Sequence, residues 1–146
     1  MITYIIIHVF LRDGRSVLKM GSRGSFLESG GFSTPAKWQT VDYVGGIKVL
    51  LPKDLKASIS LPERSNTPGT SYLSYRKDGT FDQLRVFGEN RIPLFDIDYG
   101  KHRGKTTLHV HYYQNGVRQT GDKVVYLKAG DSLYEKYKHL FKGVEL

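Results

Sequence analysis

The sequence predicts an α+β fold: an antiparallel β-meander sheet, with an N-terminal hairpin and a C-terminal helix packed on one face. Three observations predict it. From Thr70 onward, short runs rich in Val, Ile, Tyr and Thr alternate apolar with polar residues and are broken by tight-turn signals. Asn115-Gly116 lies between two such runs, and both residues tolerate the positive φ of a type I′ turn. After Gly130-Asp131-Ser132, the residues Leu133, Tyr137, Leu140 and Phe141 recur at helical spacing, with Asp131 or Ser132 placed to cap and Gly143 to end the helix.

Taken in order, Ile2–Leu11 reads as a strand buried on both faces, returned by Arg12-Asp13-Gly14-Arg15 into Ser16–Met20. Gly21–Ala36 is rich in Gly and Ser and reads as a long surface loop, or a loop around one short helix. Trp38–Val44 and Ile47–Leu51 flank Gly45-Gly46 as a hairpin. Asp54–Ser58 suits a helical turn, after which SISL enters a strand. Pro62–Gly69 is irregular, with two prolines. The meander proper comprises Thr70–Arg76, Thr80–Phe87, Ile92–Tyr99 and Thr106–Tyr113, continued by Val117–Leu127 with a break near Gly121.

The 146 residues are expected to form a single domain spanning 1–146. Cysteine is absent, which removes disulfides, thiolate metal sites and thiol catalysis and fits a cytoplasmic protein. The apolar run Ile2–Leu11 is too short to span a bilayer and lacks a basic leader, so no membrane association is expected. Lys plus Arg number 22 against 14 Asp plus Glu, a formal charge of +8 and a pI near 9.6. Such an excess points to an anionic partner: RNA, a nucleotide or an acidic protein.

Chemistry concentrates between Pro93 and Arg118. Side chains alternate along a strand, so a hairpin looped at Gly100–Lys105 gives an apolar face of Phe95, Ile97, Tyr99, Leu108, Val110 and Tyr112. The opposite face carries Asp96, Asp98, Thr107, His109, His111 and Tyr113. Centring the loop on His102 and Arg103 sets Asp96 opposite His109. Simple pairing across the neighbouring turns then sets Gln83 opposite Asp96, Tyr72 opposite Arg85, Arg118 opposite Tyr113, Thr120 opposite His111 and Asp122 opposite His109. Leu73, Leu84, Val86, Phe95, Ile97, Leu108 and Val110 share one face, and a one-residue slip would scramble that segregation.

An H-x-H pair on a strand aims both imidazoles the same way. Two histidines titrating near pKa ~6.5 can serve as base and acid in RNA cleavage. One would take the 2′-hydroxyl proton and the other would protonate the leaving 5′-oxygen. Asp96 or Asp98 would fix a tautomer, and Arg85, Lys105 or Arg118 would stabilise the phosphate charge. His109, His111, Asp96 and Arg85 are therefore the candidate catalytic set. Lys101, Arg103, Lys105, Tyr113 and Arg118 are the candidate substrate-binding residues. No cofactor is expected. A two-histidine, one-carboxylate metal site is the second chemistry open to these residues, against which the cations His102, Arg103 and Lys105 weigh. Ligand binding without turnover is the third.

The stretch from Gln83 to Arg118 resembles small domains of bacterial mobile elements and prophages, including the C-terminal toxin cargo of phage head-associated proteins. Their R-x-Y/F…DIDY…H-x-H…G-x-R layout is matched by Arg85, Asp96–Tyr99, His109, His111 and Arg118. That resemblance implies a metal-independent ribonuclease with an immunity protein as partner. No delivery segment is apparent within the chain, which brings forward the alternative of a non-enzymatic phage or mobile-element inhibitor that binds a nucleotide signal or a host nucleic-acid complex, with an immunity or host defence protein as a possible partner.

Overall fold

The computed structural model describes residues 26–27, 37–57 and 60–146. Its strands are β1 (Phe26–Leu27), β2 (Trp38–Val44), β3 (Ile47–Pro52), β4 (Arg64–Ser65), β5 (Ser71–Tyr75), β6 (Phe81–Phe87), β7 (Pro93–His102), β8 (Lys105–Gln114), β9 (Val117–Arg118) and β10 (Val125–Tyr126). One short helix follows, α1 (Ser132–Tyr137), then a 3₁₀ turn at Lys138–Leu140. The main sheet runs β10-β8-β7-β6-β5-β3-β2, with β9 paired to β8; β1 and β4 form a separate two-stranded ribbon. The expected N-terminal hairpin over Ile2–Met20 lies outside the described residues, as does most of the Gly21–Ala36 segment.

Strands β5 to β8 are the predicted meander, but the sheet as a whole is mixed. β3 pairs parallel with β5, Lys48 opposite Tyr72 and Val49 opposite Leu73. Parallel strands need a crossover to bring the chain back to the same end, and residues 53–70 supply it. Ser60 and Leu61 therefore do not enter a strand, and the PERSNTPG stretch carries β4 in its middle.

Turn chemistry explains the register. Arg103 and Gly104 both take positive φ, +52° and +82°, and close a two-residue hairpin in which His102 pairs with Lys105. Asp98 consequently faces His109 and Asp96 faces His111, two residues away from the simple count. On the other side of β7, Phe87 pairs with Pro93, one residue from the simple count, and a bulge between Val86 and Phe87 adds the second, so Arg85 meets Asp96 and Gln83 meets Asp98. A shift of two keeps every side chain on its face, so the apolar and polar sets survive the correction. Tyr72 opposite Arg85 and Arg118 opposite Tyr113 are as counted. Beyond Arg118 the count fails. Thr120 and Asp122 leave the sheet through a 3₁₀ turn at Gly121–Lys123, and β10 returns with Tyr126 opposite His109.

Leu73, Leu84, Ile97, Leu108 and Val110 are buried on one face, with Val86 and Phe95 packed against them. The C-terminal segment covers this face. Phe141 meets Phe81 edge-on at 4.8 Å, and the Tyr75 hydroxyl donates to the Leu140 carbonyl at 2.9 Å. Leu133, Tyr137, Leu140 and Phe141 all reach this core, although the helix tightens to 3₁₀ after Tyr137. Asp131 is the N-cap residue, but its carboxylate accepts the Lys128 N–H at 2.8 Å rather than capping α1.

A second, smaller core of Trp38, Leu50, Leu61, Tyr72 and Phe87 lies on the opposite face. Tyr72 is thereby buried, its hydroxyl 2.8 Å from Ser65 Oγ, and is removed from the exposed polar face. The crossover covers the β2–β6 half of that face and leaves the β7–β8 half to polar side chains. No helix among the described residues is long and apolar enough to cross a membrane.

Leu84 is fully buried at the sheet centre. Leu84→Ala is expected to lower unfolding free energy by about 2–5 kcal/mol, read from the denaturant midpoint at constant m-value.

Candidate functional site

Asp96 is the hub of the polar face. Its side chain is fully buried, and hydrogen bonds from four side chains converge on it. Arg85 from β6 is bidentate, Nε donating to Oδ1 at 2.7 Å and Nη2 to Oδ2 at 2.9 Å. Oδ2 also accepts from Arg118 Nε at 2.9 Å, the Tyr113 hydroxyl at 3.0 Å and Gln83 Nε2 at 3.3 Å. Arg85 then spends Nη1 on the carbonyls of Leu61 and Pro62, at 2.6 and 3.1 Å. Burial alone would lower the Arg85 pKa, but the hydrogen bonds and charge of Asp96 outweigh it and leave the guanidinium still harder to deprotonate. Tyr113 is pushed up to about 12 by burial and then by the Asp96 charge.

Arg118 carries the network outward. Its Nε holds Asp96 while Nη2 donates to Asp98 Oδ2. The same Oδ2 stands 3.6 Å from His111 Nε2. Asp98 Oδ1 is buried with no hydrogen-bond partner among the described residues. Burial raises the Asp98 pKa, Arg118 opposes the rise and the Asp96 charge adds to it.

The histidines are oriented by main chain. His109 Nδ1 lies 3.0 Å from the Thr107 carbonyl, and His111 Nδ1 lies 2.8 Å from the Gln119 carbonyl. A carbonyl only accepts, so each Nδ1 carries the hydrogen and each Nε2 is left with the lone pair. The two rings are 5.1 Å apart, and one potential ligand atom from each of His109, His111 and Asp98 lies within 4.8 Å of the other two. Burial pulls the His109 pKa below the ordinary imidazole value. His102 sits 5.4 Å from His109 ring to ring, but its Nδ1 is 2.8 Å from the Tyr126 hydroxyl.

The chain matches no family model, no curated protein and no solved structure. The site has to be read from its own geometry.

A cleft of about 490 Å³ runs past this cluster, walled by Arg76, Lys101, Arg118, His109 and Asp98 with Arg85 at its floor. On the far side of Arg85 and Arg118 a second groove of about 640 Å³ is bounded by Arg64, Glu63 and Tyr113. A third hollow of about 410 Å³ holds His102, Arg103, Lys105 and Tyr126 at the hairpin tip.

The expected residues therefore divide. His109, Arg85, Lys101 and Arg118 line one cleft, and His111 does not line it. Tyr113 belongs to the second groove, and Arg103 and Lys105 to the third hollow, with Arg103 paired to Asp122. Asp96 is the cross-strand partner of His111, but its carboxylate hydrogen-bonds Arg85 and Arg118 and not a histidine. The carboxylate beside His111 is Asp98, which the two-residue register correction brings into place. Arg76, whose guanidinium donates to the Tyr99 carbonyl, was absent from the sequence reading. Its place at the end of β5, in line with Tyr72, was the available signal.

Asp96→Asn removes the charge that neutralises buried Arg85. A loss of about 3–5 kcal/mol of stability is expected, measured by denaturant unfolding. A loss within the range of a surface substitution would show that Asp96 is not the hub.

Proposed function

We propose that the cleft binds an RNA phosphodiester and cleaves it with the two histidines as base and acid. The observation that carries this reading is a pair of Nδ1-anchored imidazoles 5.1 Å apart beside Asp98, of which His109 lines a basic cleft together with Asp98 and Arg118. His109 Nε2 takes the proton from the ribose 2′-hydroxyl. The 2′-oxygen then forms a bond to phosphorus as the bond to the 5′-oxygen breaks, giving a 2′,3′-cyclic phosphate. His111, in its protonated form, supplies from Nε2 the proton that the departing 5′-oxygen needs. Arg118, one-third exposed, offers its guanidinium to the charge building on the phosphate, while Asp96 and Arg85 keep it aimed.

This reading agrees with what the likeness to mobile-element toxin domains implies: a small basic ribonuclease acting in the cytoplasm, with an immunity protein as its natural partner. The second reading is a non-enzymatic phage or mobile-element inhibitor that binds a nucleotide signal or a host nucleic-acid complex. One observation favours it: His111 is only 6% exposed and does not line the cleft.

Incubation with RNA in EDTA separates the two. Cleavage is expected, with His109→Ala and His111→Ala each reducing the rate at least about 100-fold while the far-ultraviolet dichroism is unchanged. Wild-type cleavage by both variants would remove the assignment. Tight binding without products would favour the inhibitor reading. For RNA affinity, Lys101→Glu is expected to weaken binding more than Lys105→Glu, because Lys101 lines the cleft and Lys105 lies in the hairpin-tip hollow.

A further inference from the structure

We propose that Asp98, His109 and His111 form a binding site for one divalent transition-metal ion of the zinc type, and that the bound ion switches cleavage off. The binding part stands on its own; the switch rests on the cleavage reading above.

Three features converge on the site. First, each imidazole donates its Nδ1–H to a main-chain carbonyl, Thr107 for His109 and Gln119 for His111. Metal-ligating histidines are held in this way, with the far nitrogen fixed and the near one presented as a lone pair. Secondly, Asp98 Oδ1 is buried and has no hydrogen-bond partner among the described residues, although Oδ2 is engaged by Arg118. A buried carboxylate oxygen without a donor is costly, and a cation would satisfy it. Thirdly, one potential ligand atom from each of the three residues already lies within 4.8 Å of the others, and His111 Nε2 is 3.6 Å from the Asp98 carboxylate. Zinc–nitrogen and zinc–oxygen bonds near 2.1 Å require them to draw in by roughly 1 Å, within the reach of side-chain torsions.

The local charge permits a cation. Arg85 and Arg118 are each bound to Asp96, and Arg118 also to Asp98, so two cations face two carboxylates. Arg103, which weighed against a metal in the sequence, is paired with Asp122 at the hairpin tip. Two imidazoles and one carboxylate are a donor set suited to zinc, and the fourth position would face the cleft beside His109. An ion there occupies both Nε2 lone pairs. Neither histidine could then accept or deliver a proton.

The test uses the whole chain, freed of metal by dialysis against chelator, and Zn²⁺ alone in calorimetric titration. Co²⁺ serves as the visible-absorption reporter of a low-coordinate nitrogen–oxygen site. One ion per chain is expected. Affinity should fall at least about tenfold in His109→Gln, His111→Ala and Asp98→Asn, each checked for retained dichroism, while His102→Ala keeps wild-type affinity. Absence of binding, or unchanged affinity in both His109→Gln and Asp98→Asn, would overturn the site. In parallel, RNA cleavage is expected to stop on adding one equivalent of Zn²⁺ and return with EDTA. Zinc binding without RNA cleavage under any condition would sink the ribonuclease reading and leave the metal site standing. Zinc binding with undiminished cleavage would overturn the switch.

Discussion

The structure depends on a carboxylate taken wholly out of water. Asp96 draws hydrogen bonds from β6, β8 and β9, and through Arg85 it reaches the carbonyls of Leu61 and Pro62 in the crossover. Burying an ion pair costs several kcal/mol per ion, and geometry must return it. Here it is returned by a bidentate guanidinium, a second guanidinium, a phenol and an amide on one carboxylate. Strand β9 is two residues long and has few ladder bonds of its own. Arg118 fastens it to β7, and the same stretch of chain brings the Gln119 carbonyl to His111. The hub thus fixes one histidine indirectly, through the path of the backbone.

Asp96 and Asp98 are two residues apart on one strand and face the same side, yet their situations differ. Asp96 is saturated with donors. Asp98 is held on one oxygen by Arg118 and left bare on the other. Reactivity follows the poorly satisfied group, because a saturated carboxylate has no lone pair to offer without breaking a bond that holds the fold. The chain of alternating charge, Arg85 to Asp96 to Arg118 to Asp98, ends at His111, where the compensation runs short. Support and chemistry are separated by one turn of the pleat.

Faces were legible in the sequence, and registers were less so. Alternation assigned Phe95, Ile97, Leu108 and Val110 to one side and Asp96, Asp98, His109 and His111 to the other, and period two protects that assignment against even-numbered slips. Which carboxylate meets which imidazole depended on the turn at Arg103-Gly104, and which of them meets Arg85 depended on the bulge at Phe87. Arg103 at positive φ is not signalled by its residue type, since the left-handed region disfavours side chains of its size. The parallel pairing of β3 with β5 was hidden for another reason. It is a long-range contact, and nothing local in Pro52–Gly69 states where that segment will lie. Its consequence reached Tyr72, which alternation placed among the polar residues and the crossover buried.

The crossover also decides what the site can bind. With Leu61 over one half of the polar face, the open half is bounded by Ser60 and Arg85 on one side and by the tip of the β7–β8 hairpin on the other. Arg76, Lys101 and Arg118 line that opening together with His109. Once an anion is seated there, the imidazole nitrogen nearest to it is Nε2, because Thr107 has claimed Nδ1. On the proposed metal site, proton and metal ion would compete for that same nitrogen. A site built this way is open to control by whichever cation reaches it first, since a ligand that binds through Nε2 and one that needs Nε2 vacant cannot be accommodated together.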